Sequence, residues 1–428
     1  MTQIQSYDFF VGTFNSPHLY TLRFTPATTS SQALTKPDNS GSLKILQKSS
    51  VIGSHSWLHL HPTRRNGVRN LYATAWTEPP SVVAYAVDSP TSIRLLNTAP
   101  TRSRSGYVAA SDVALYSTGG ATGEVYSLDP DTGAMVSPTL ETNGTMVNGS
   151  HTSQQIKPLQ DLSFVDTSNS QRDDGTVMDF GGLRHGAHSA DLLPDGQAMY
   201  VADIGRNCIW TYTVSPTDGS LTLGEKHISP RPNDGPRHVW PHPSGRFVYC
   251  LQEHTSMVDV FSTDETGAYL QFVQGVRIIP PEEHEGGFWA DEVRTSLSNG
   301  TAPQYLYAST RGLENGKKGY VAVYKLTEDG RIDTSVSPSL SERQNVASVN
   351  GNTGEHYAGL LDMYTTPTSG GWANAVQPGP TVDGVEYLAL TDSEEGLVFV
   401  LAWDGEKITE AARVKLGEGE GAATAVWL

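Results

Sequence analysis

The chain has little cysteine and no long apolar run. Only two of its 428 residues are cysteine, Cys208 and Cys250, which suits a reducing compartment, and we expect no disulfide between them. No apolar stretch reaches the roughly 18 residues of a transmembrane helix. The N-terminus also lacks the basic segment and apolar core of a secretory signal. We therefore expect a cytoplasmic protein with no membrane partner.

Positive charge is also scarce. The chain has 29 Lys and Arg against 46 Asp and Glu, a formal net charge of −17, and no dense Lys/Arg run. This composition argues against nucleic acid as a partner. A small polyanion stays open as a ligand, because a few local arginines can override the overall sign. We attribute the acidity itself to solubility.

Glycine and proline are plentiful, with 42 and 25 residues, and they mark an internal repeat. The segment from Gly186 to Tyr212 recurs 49 residues later, beginning at Gly235. The Pro-Asp-Gly turn of the first copy becomes Pro-Ser-Gly in the second, whereas His188 is replaced by Arg237. A repeat that keeps its turns and changes its charged residues presents different groups at equivalent places.

Weaker copies of the repeat begin at Ser56, near Tyr107, at Phe288 and at Gly371. Most copies contain short strands rich in Tyr, Val, Leu and Ala, separated by Gly, Pro and Asp turns. Four strands in units of roughly 40 to 50 residues are typical of propeller blades. The sequence therefore predicts an all-β fold, a single seven-bladed β-propeller domain over residues 1–428.

The two ends of the chain predict how the ring closes. Residues 7–14 have the pattern of a second strand with no first strand before it, and residues 421–428 that of a first strand with nothing after it. Paired, they would complete one blade and remove two exposed edges. The pattern is poor between residues 103 and 180, so six or eight blades stay open. Within that region, residues 142–174 predict a loop insertion.

Equivalent positions in the blades predict the candidate site, because propellers usually bind ligands at one mouth of the central channel. The residues six positions before the turn proline are Ser56, His188, Arg237 and Trp372. The fifth residues of the second-strand motif, counted from its tyrosine or the Leu388 that replaces it, are Trp76, Ile204, Glu253, Arg311 and Asp392.

Four ionisable residues among these positions come from three consecutive blades: His188, Arg237, Glu253 and Arg311. Two guanidinium groups and an imidazole near one carboxylate suit an anion-binding site capable of acid–base chemistry. Two structural interpretations stay open, an ion pair of Arg237 with Glu253 and a buried hydrogen-bonded His188.

Other candidate sites are weaker. We interpret the histidines beside turns, His61, His238 and His242, as structural. The sequence has no two-histidine zinc motif, cysteine cluster, calcium loop or phosphate-binding loop. We therefore expect neither a metal nor a cofactor.

Several segments resemble the lactonase-type seven-bladed propellers and, within them, the fungal carboxy-cis,cis-muconate cyclases, also called lactonizing enzymes. They are GAHSADLLPDG at 186–196, GPRHVWPHPSG at 235–245, TPTSGGWANAV at 366–376 and TDSEEG at 391–396. The insertion at 142–174 and the loop after Glu282 depart from the compact family pattern.

This resemblance implies a metal-independent cycloisomerase that converts 3-carboxy-cis,cis-muconate, a small polycarboxylate, into a lactone. The reaction belongs to the protocatechuate branch of the β-ketoadipate pathway of aromatic catabolism. The active-site His, Arg, Glu and Arg of the family fall on His188, Arg237, Glu253 and Arg311. A related muconate, a lactone hydrolase of the 6-phosphogluconolactonase type and a non-catalytic binding platform stay open, as does assembly into a homo-oligomer.

Overall fold

The computed structural model describes residues 5–27, 41–138, 155–164, 186–297, 302–314, 316–337 and 355–428. These residues form seven antiparallel sheets arranged as the blades of a propeller. The helical segments among them are two short 3₁₀ turns, Glu285–Gly287 and Glu355–Tyr357. The predicted all-β, seven-bladed fold is confirmed, and the alternatives of six and eight blades are wrong.

The first three blades take their strands from the two ends of the chain and its N-terminal part. Blade 1 contains β29 (Ala422–Trp427), β1 (Tyr7–Thr13), β2 (His18–Thr25) and β3 (Ser42–Ser50). Blade 2 contains β4 (Leu58–Arg65), β5 (Val68–Ala75), β6 (Ser81–Ser89) and β7 (Ser92–Pro100). Blade 3 contains β8 (Tyr107–Ala110), β9 (Ala114–Gly119), β10 (Thr122–Leu128), β11 (Met135–Val136) and β12 (Gln160–Ser163).

The other four blades follow in chain order, each with four strands. Blade 4 contains β13 (Ala187–Leu192), β14 (Ala198–Asp203), β15 (Cys208–Val214) and β16 (Leu221–Ile228). Blade 5 contains β17 (Pro236–Pro241), β18 (Phe247–Gln252), β19 (Met257–Thr263) and β20 (Leu270–Arg277). Blade 6 contains β21 (Phe288–Thr295), β22 (Tyr305–Gly312), β23 (Tyr320–Lys325) and β24 (Leu360–Thr365). Blade 7 contains β25 (Val376–Val382), β26 (Val385–Asp392), β27 (Leu397–Trp403) and β28 (Ile408–Lys415).

The ring closes as predicted. Strand β29 from the C-terminus pairs antiparallel with β1 from the N-terminus, with Phe9 opposite Trp427 and Val11 opposite Ala425. The rings of Phe9 and Trp427 pack with their centroids 4.4 Å apart. Blade 1 is therefore built from both ends of the chain, and the sheet edges that each end would otherwise expose are paired.

The repeat pattern is weak in the sequence of blade 3 because of the way in which the outer edge of this blade is built. Strand β10 pairs with both the two-residue β11 and the later β12, so the outer edge of the blade comes from two separate segments. The predicted insertion at 142–174 is interrupted by this strand, because residues 160–163 belong to the blade. The parts at 142–154 and 165–174 lie outside the described residues.

Cys208 and Cys250 are both buried, on β15 of blade 4 and β18 of blade 5. No helix in the described ranges is long and apolar enough to cross a membrane.

A tyrosine of the second strand connects each of four consecutive blades to the next. In blades 2 to 5 its hydroxyl donates a hydrogen bond to a glycine carbonyl in the turn between the third and fourth strands of the following blade. The pairs are Tyr72 with Gly133 (2.9 Å), Tyr116 with Gly219 (3.0 Å), Tyr200 with Gly267 (2.7 Å) and Tyr249 with Gly330 (2.6 Å).

Glycine is required at these acceptor positions. All four glycines have positive φ angles, a region that other residues rarely adopt. At Gly219 an added Cβ would also lie 2.9 Å from the Tyr116 hydroxyl oxygen. The tyrosine and the turn glycine of the repeat are therefore two halves of one contact between blades.

We predict that Tyr200→Phe lowers the free energy of unfolding by about 1–3 kcal/mol, because the buried Gly267 carbonyl loses its partner. Denaturant unfolding measures the loss. Tyr269→Phe is the matched control: this side chain is 55 % exposed, so its substitution should change stability by less than about 0.5 kcal/mol. Equal stabilities of the two variants would contradict a structural role for the contact between blades.

Candidate functional site

One mouth of the central channel opens into a cleft of about 1110 Å³ that is lined by residues from all seven blades. The lining residues lie near the beginning of the innermost strands and the end of the second strands. These two positions are adjacent in every blade because the strands are antiparallel. The residues predicted from equivalent positions in the blades therefore lie at this cleft.

A β-bulge at the beginning of three consecutive inner strands directs a side chain into the cleft. In each strand one residue has no partner, because the pairing register with the second strand shifts there. The unpaired residues are His188 in β13, Arg237 in β17 and Asp291 in β21. A bulge re-aims a side chain and is frequent beside active sites, so the same irregularity presents an imidazole, a guanidinium and a carboxylate in turn.

Glu253 holds the two predicted arginines together. Its Oε2 lies 3.2 Å from Arg237 Nη1, and its Oε1 lies 3.1 Å from Arg311 Nη2. The carboxylate is 2 % exposed. Burial would raise the pKa of Glu253, but the two guanidinium groups hold it below its ordinary value. Glu253 is therefore ionised and fixes the orientation of both arginines from below the cleft.

Asp291 is a second acidic partner that the sequence analysis missed. Its Oδ1 lies 3.0 Å from Arg237 Nη2, and its Oδ2 accepts a hydrogen bond from the Asn374 backbone N–H at 2.9 Å. In blade 6 the connection after the inner strand is longer, and its proline, Pro303, lies 12 residues after Asp291 rather than six, so the spacing rule missed Asp291. The sequence signal that could have found it is the alignment of Ala290-Asp291-Glu292 with Pro236-Arg237-His238.

Both guanidinium groups are held in place by the protein and keep donors free. Arg237 donates one N–H to Glu253, one to the Asp291 carboxylate and one to the Asp291 backbone carbonyl. A guanidinium group carries five N–H donors in total. Arg311 donates to Glu253 and to the Trp372 backbone carbonyl, and its guanidinium lies 5.0 Å from the centre of the Trp289 ring. The carboxylates of Glu253 and Asp291 thus offset the charge of the two guanidinium groups. The N–H groups that are left can bind an anion without moving either arginine.

His188 lines the cleft beside Arg237 and is half-buried. Burial is the largest of the effects that hold the pKa of His188 well below its ordinary value, followed by the positive charge of Arg237, the nearby His238 and then Arg311. The ring is therefore neutral at neutral pH while the cleft is empty.

His238, which we interpreted as structural, also borders the cleft. Its ring centre lies 5.1 Å from that of His188, and its Nδ1 lies 2.8 Å from Glu292 Oε1. The structural interpretation holds better for His242, whose Nδ1 lies 2.8 Å from the hydroxyl of Ser244 in the adjacent turn.

Aromatic side chains surround the cleft: Phe14, Trp57, Trp76, Trp289 and Trp372. Trp372 is 60 % exposed, so it offers a large apolar face to solvent. Arg104 lies over Trp76, with 5.0 Å between the guanidinium carbon and the ring centre. Among the residues that the structure describes, Arg104 has no carboxylate partner. Three exposed acids also border the opening: Glu314, Glu394 and Glu395.

The structure thus brings the four predicted residues together: His188, Arg237 and Arg311 line the cleft, and Glu253 lies beneath the two arginines. Of the other equivalent positions, Ser56, Trp76 and Trp372 line the cleft, whereas Asp392 is buried and caps a turn through the N–H groups of Glu394 and Glu395. In the described ranges, no three His, Cys, Asp or Glu side chains are placed to hold a metal ion. The arrangement can bind carboxylates and move a proton beside them.

Several known proteins are similar to this chain in sequence or in fold. The chain is 37 % identical to muconate cycloisomerase 1 of Cutaneotrichosporon cutaneum, over 99 % of this chain and 98 % of that protein. It is 28 % identical to the carboxy-cis,cis-muconate cyclase of Neurospora crassa, over 56 % of this chain and 60 % of that protein. The solved structure of a periplasmic gluconolactonase from Pseudomonas aeruginosa, 15 % identical, covers 99 % of each chain with a TM-score of 0.69, which shows the shared fold.

A family model described as lactonase, 7-bladed beta-propeller, matches residues 10–344. With this match, the near full-length relative and the closed ring of seven blades, the protein is an enzyme of the lactonase family of seven-bladed β-propellers.

Proposed function

We propose that this enzyme converts 3-carboxy-cis,cis-muconate into a carboxymuconolactone by intramolecular addition, without a metal ion. The observation that carries the proposal is the pair of fixed guanidinium groups, Arg237 and Arg311, beside a histidine in an open cleft. The names of the two fungal relatives, a muconate cycloisomerase and a carboxymuconate cyclase, support it. The proposed setting is the protocatechuate branch of aromatic catabolism in the cytoplasm.

The chemistry requires charge stabilisation and one proton. A carboxylate oxygen of the substrate adds to an alkene carbon of the same molecule, so a C–O bond forms as a C=C π bond breaks. The displaced electron pair moves onto the carboxyl group conjugated to that alkene and gives an enolate-like species. A proton then bonds to the adjacent carbon. Because a carboxylate becomes an ester, each turnover consumes one proton from the solvent.

The residues divide this work by position. Arg237 and Arg311 would bind carboxylates and stabilise the enolate charge, with N–H groups already oriented by Glu253 and Asp291. No metal ion is needed where two guanidinium groups supply this charge. Ring closure is intramolecular, so the cleft mainly selects the reactive conformer. His188 is the proposed proton donor to carbon.

Arg104 supports the tricarboxylate over cis,cis-muconate as the substrate. It lines the same cleft from the segment before β8 of blade 3, whereas Arg237 and Arg311 come from blades 5 and 6. Since Glu253 and Asp291 do not neutralise it, its charge is available for a third carboxylate. A dicarboxylate would use Arg237 and Arg311 alone.

A lactone hydrolase is the second candidate, and one observation favours it. A neutral His188 can accept a proton, and such a base could activate water against a lactone carbonyl. The two reactions differ in what the cleft must hold: an open-chain conjugated polycarboxylate for lactonization, or a lactone and a water molecule for hydrolysis.

The first test is an ultraviolet assay of chelator-treated protein with 3-carboxy-cis,cis-muconate. The conjugated diene absorbs and the lactone does not, so we expect rapid loss of absorbance with EDTA present. The control is His188→Ala, which should fold normally and lose about 10²- to 10⁴-fold in kcat, the usual contribution of a positioned proton donor. Activity that EDTA abolishes would refute metal independence, and full activity of His188→Ala would refute the proton donor. A wild-type protein that spares the diene but hydrolyses a sugar-acid lactone would establish the second candidate.

Arg104→Ala should change substrate preference rather than activity in general. We expect kcat/KM for 3-carboxy-cis,cis-muconate to fall about tenfold more than kcat/KM for cis,cis-muconate. This ratio corresponds to about 1.4 kcal/mol for one lost carboxylate contact. Steady-state kinetics with both substrates measures the ratio. Arg94→Ala removes the same charge from an exposed position on β7 and should leave the ratio unchanged. Equal losses of kcat/KM for both substrates would show that Arg104 does not bind the third carboxylate.

A further inference from the structure

A group of buried polar side chains lies behind His188, within the central channel, and the proposed function does not use it. Its members come from the inner strands of four blades and from the segment before β4: Trp57, Tyr107, Asp191, His238, Glu292 and Arg294. Four of the six are at most 3 % exposed, and Trp57 and Asp191 are 8 % and 9 % exposed. Ionisable groups are rarely placed in a channel core unless they are paired.

These side chains form one continuous network. The Glu292 Oε1 lies 2.8 Å from His238 Nδ1 and 2.7 Å from Arg294 Nη1. Arg294 Nη2 lies 3.3 Å from the Tyr107 hydroxyl, which donates to Asp191 Oδ1 at 2.9 Å. A single guanidinium therefore serves two buried carboxyl groups, Glu292 directly and Asp191 through the Tyr107 hydroxyl.

The other end of the network points toward the cleft. Among the described residues, His238 Nε2 and His188 Nδ1 are both buried without a hydrogen-bond partner, and the two rings lie 5.1 Å apart between centres. Two neighbouring imidazoles that each have one unpaired buried nitrogen can satisfy both by sharing one proton, directly or through a water molecule. His188 Nε2 is then the nitrogen that serves the cleft.

We propose that Glu292 and His238 form a proton relay that ends at His188 and supplies the proton for lactonization, so that the inference rests on the proposed function. Glu292 and His238 act through His188 and are positioning residues, whereas His188 touches the substrate.

The relay moves protons without creating a cationic ring. In the loaded state the Glu292 carboxyl donates to His238 Nδ1, His238 Nε2–H donates to His188 Nδ1, and His188 Nε2–H faces the substrate carbon. As the Nε2 proton of His188 bonds to that carbon, each proton behind it moves one place along. Glu292 ends ionised, and both rings end neutral with their protons on Nδ1. One proton from solvent restores the loaded state.

This arrangement explains how a histidine beside two arginines can act as an acid. The charges of Arg237 and Arg311 oppose a cationic His188, but they do not oppose the passage of a proton through it. Burial raises the pKa of Glu292 to about 7, against the opposing effect of Arg294. The relay is therefore loaded below about pH 7 and empty above it.

Several charged or titratable groups face the relay from the strands around it. They are Tyr107 from β8, Asp191 and His188 from β13, Arg237 from β17, Glu253 from the end of β18, and Asp291 and Arg294 from β21. Burial also raises the pKa of Asp191 to about 7. Asp191 contacts Tyr107 rather than His238, so it shares the buried environment without lying on the proposed path.

The test compares Glu292→Gln with Asp191→Asn in the lactonization assay across pH 5.5 to 8.5, a window of about 1.5 units on either side of the relay midpoint. The wild-type kcat should fall as pH rises through about 7. Glu292→Gln keeps a hydrogen-bonding side chain that cannot release its proton, so its kcat at pH 6.5 should fall at least about tenfold and lose that pH dependence. Asp191→Asn should keep the wild-type pH dependence. His238→Asn provides a second break in the relay should Glu292→Gln fail to fold.

The relay would be overturned by a Glu292→Gln enzyme that keeps the wild-type kcat and pH profile, or by an Asp191→Asn enzyme that shows the same loss.

A second measurement, ¹⁵N NMR of the histidine rings, requires no substrate and so separates failure of the relay from failure of the proposed function. Both His188 and His238 should carry the proton on Nε2 below about pH 7 and on Nδ1 above it, without becoming cationic. Glu292→Gln should abolish the change. Rings that become cationic, or that keep one tautomer throughout in the wild type, would refute the relay whichever substrate the enzyme uses.

Discussion

The hydrogen bond from a second-strand tyrosine to a turn glycine of the next blade is the contact on which the ring depends. It joins Tyr72, Tyr116, Tyr200 and Tyr249 to the blades that follow them. In blade 6 the hydroxyl of Tyr307 reaches a side chain of blade 7 instead, Glu386 Oε2 at 2.6 Å. Because each contact fixes one blade against its neighbour, the ends of the inner strands converge on one cleft. Because the residues of the site come from separate blades, its geometry depends on how the blades are placed relative to one another.

The β-bulge of the inner strand is a shared feature of the backbone that presents a different side chain in each blade. The register shift recurs in β13, β17 and β21, while the residue it frees changes from histidine to arginine to aspartate. The backbone geometry is shared, so a substitution at this position alters the chemistry of the cleft without altering how the blade is built. The cluster of acidic and basic groups in the cleft arises from placing unlike side chains at like positions.

The fold and the positions of the four candidate residues could be predicted from the sequence because both follow from local spacing. His188 and Arg237 lie at a fixed distance from a turn proline, and Glu253 and Arg311 at a fixed distance from the tyrosine that joins the blades. Asp291 escaped this rule because the proline of blade 6, Pro303, lies 12 positions after it rather than six.

Contacts between blades could not be predicted in the same way. The contact of His238 with Glu292 was hidden from the sequence, because Glu292 belongs to a different blade and lies 54 positions later in the chain. The lowered pKa of His188 was equally hidden, since it depends first on burial and then on charges from blades 5 and 6, and only the folded ring supplies both. Blade 3 was obscure because two separate segments share its outer edge.

The acids at the opening of the cleft have a consequence for how a ligand arrives. Glu314, Glu394 and Glu395 border the mouth of a protein whose net charge is −17. A polyanion approaching from solution therefore meets repulsion before it meets the arginines. At about 0.1 M salt the screening length is about 10 Å, so the guanidinium groups act only at close range. Association with an anionic ligand should accordingly become faster as salt is added, the reverse of the electrostatic steering found in enzymes whose surface attracts their substrate.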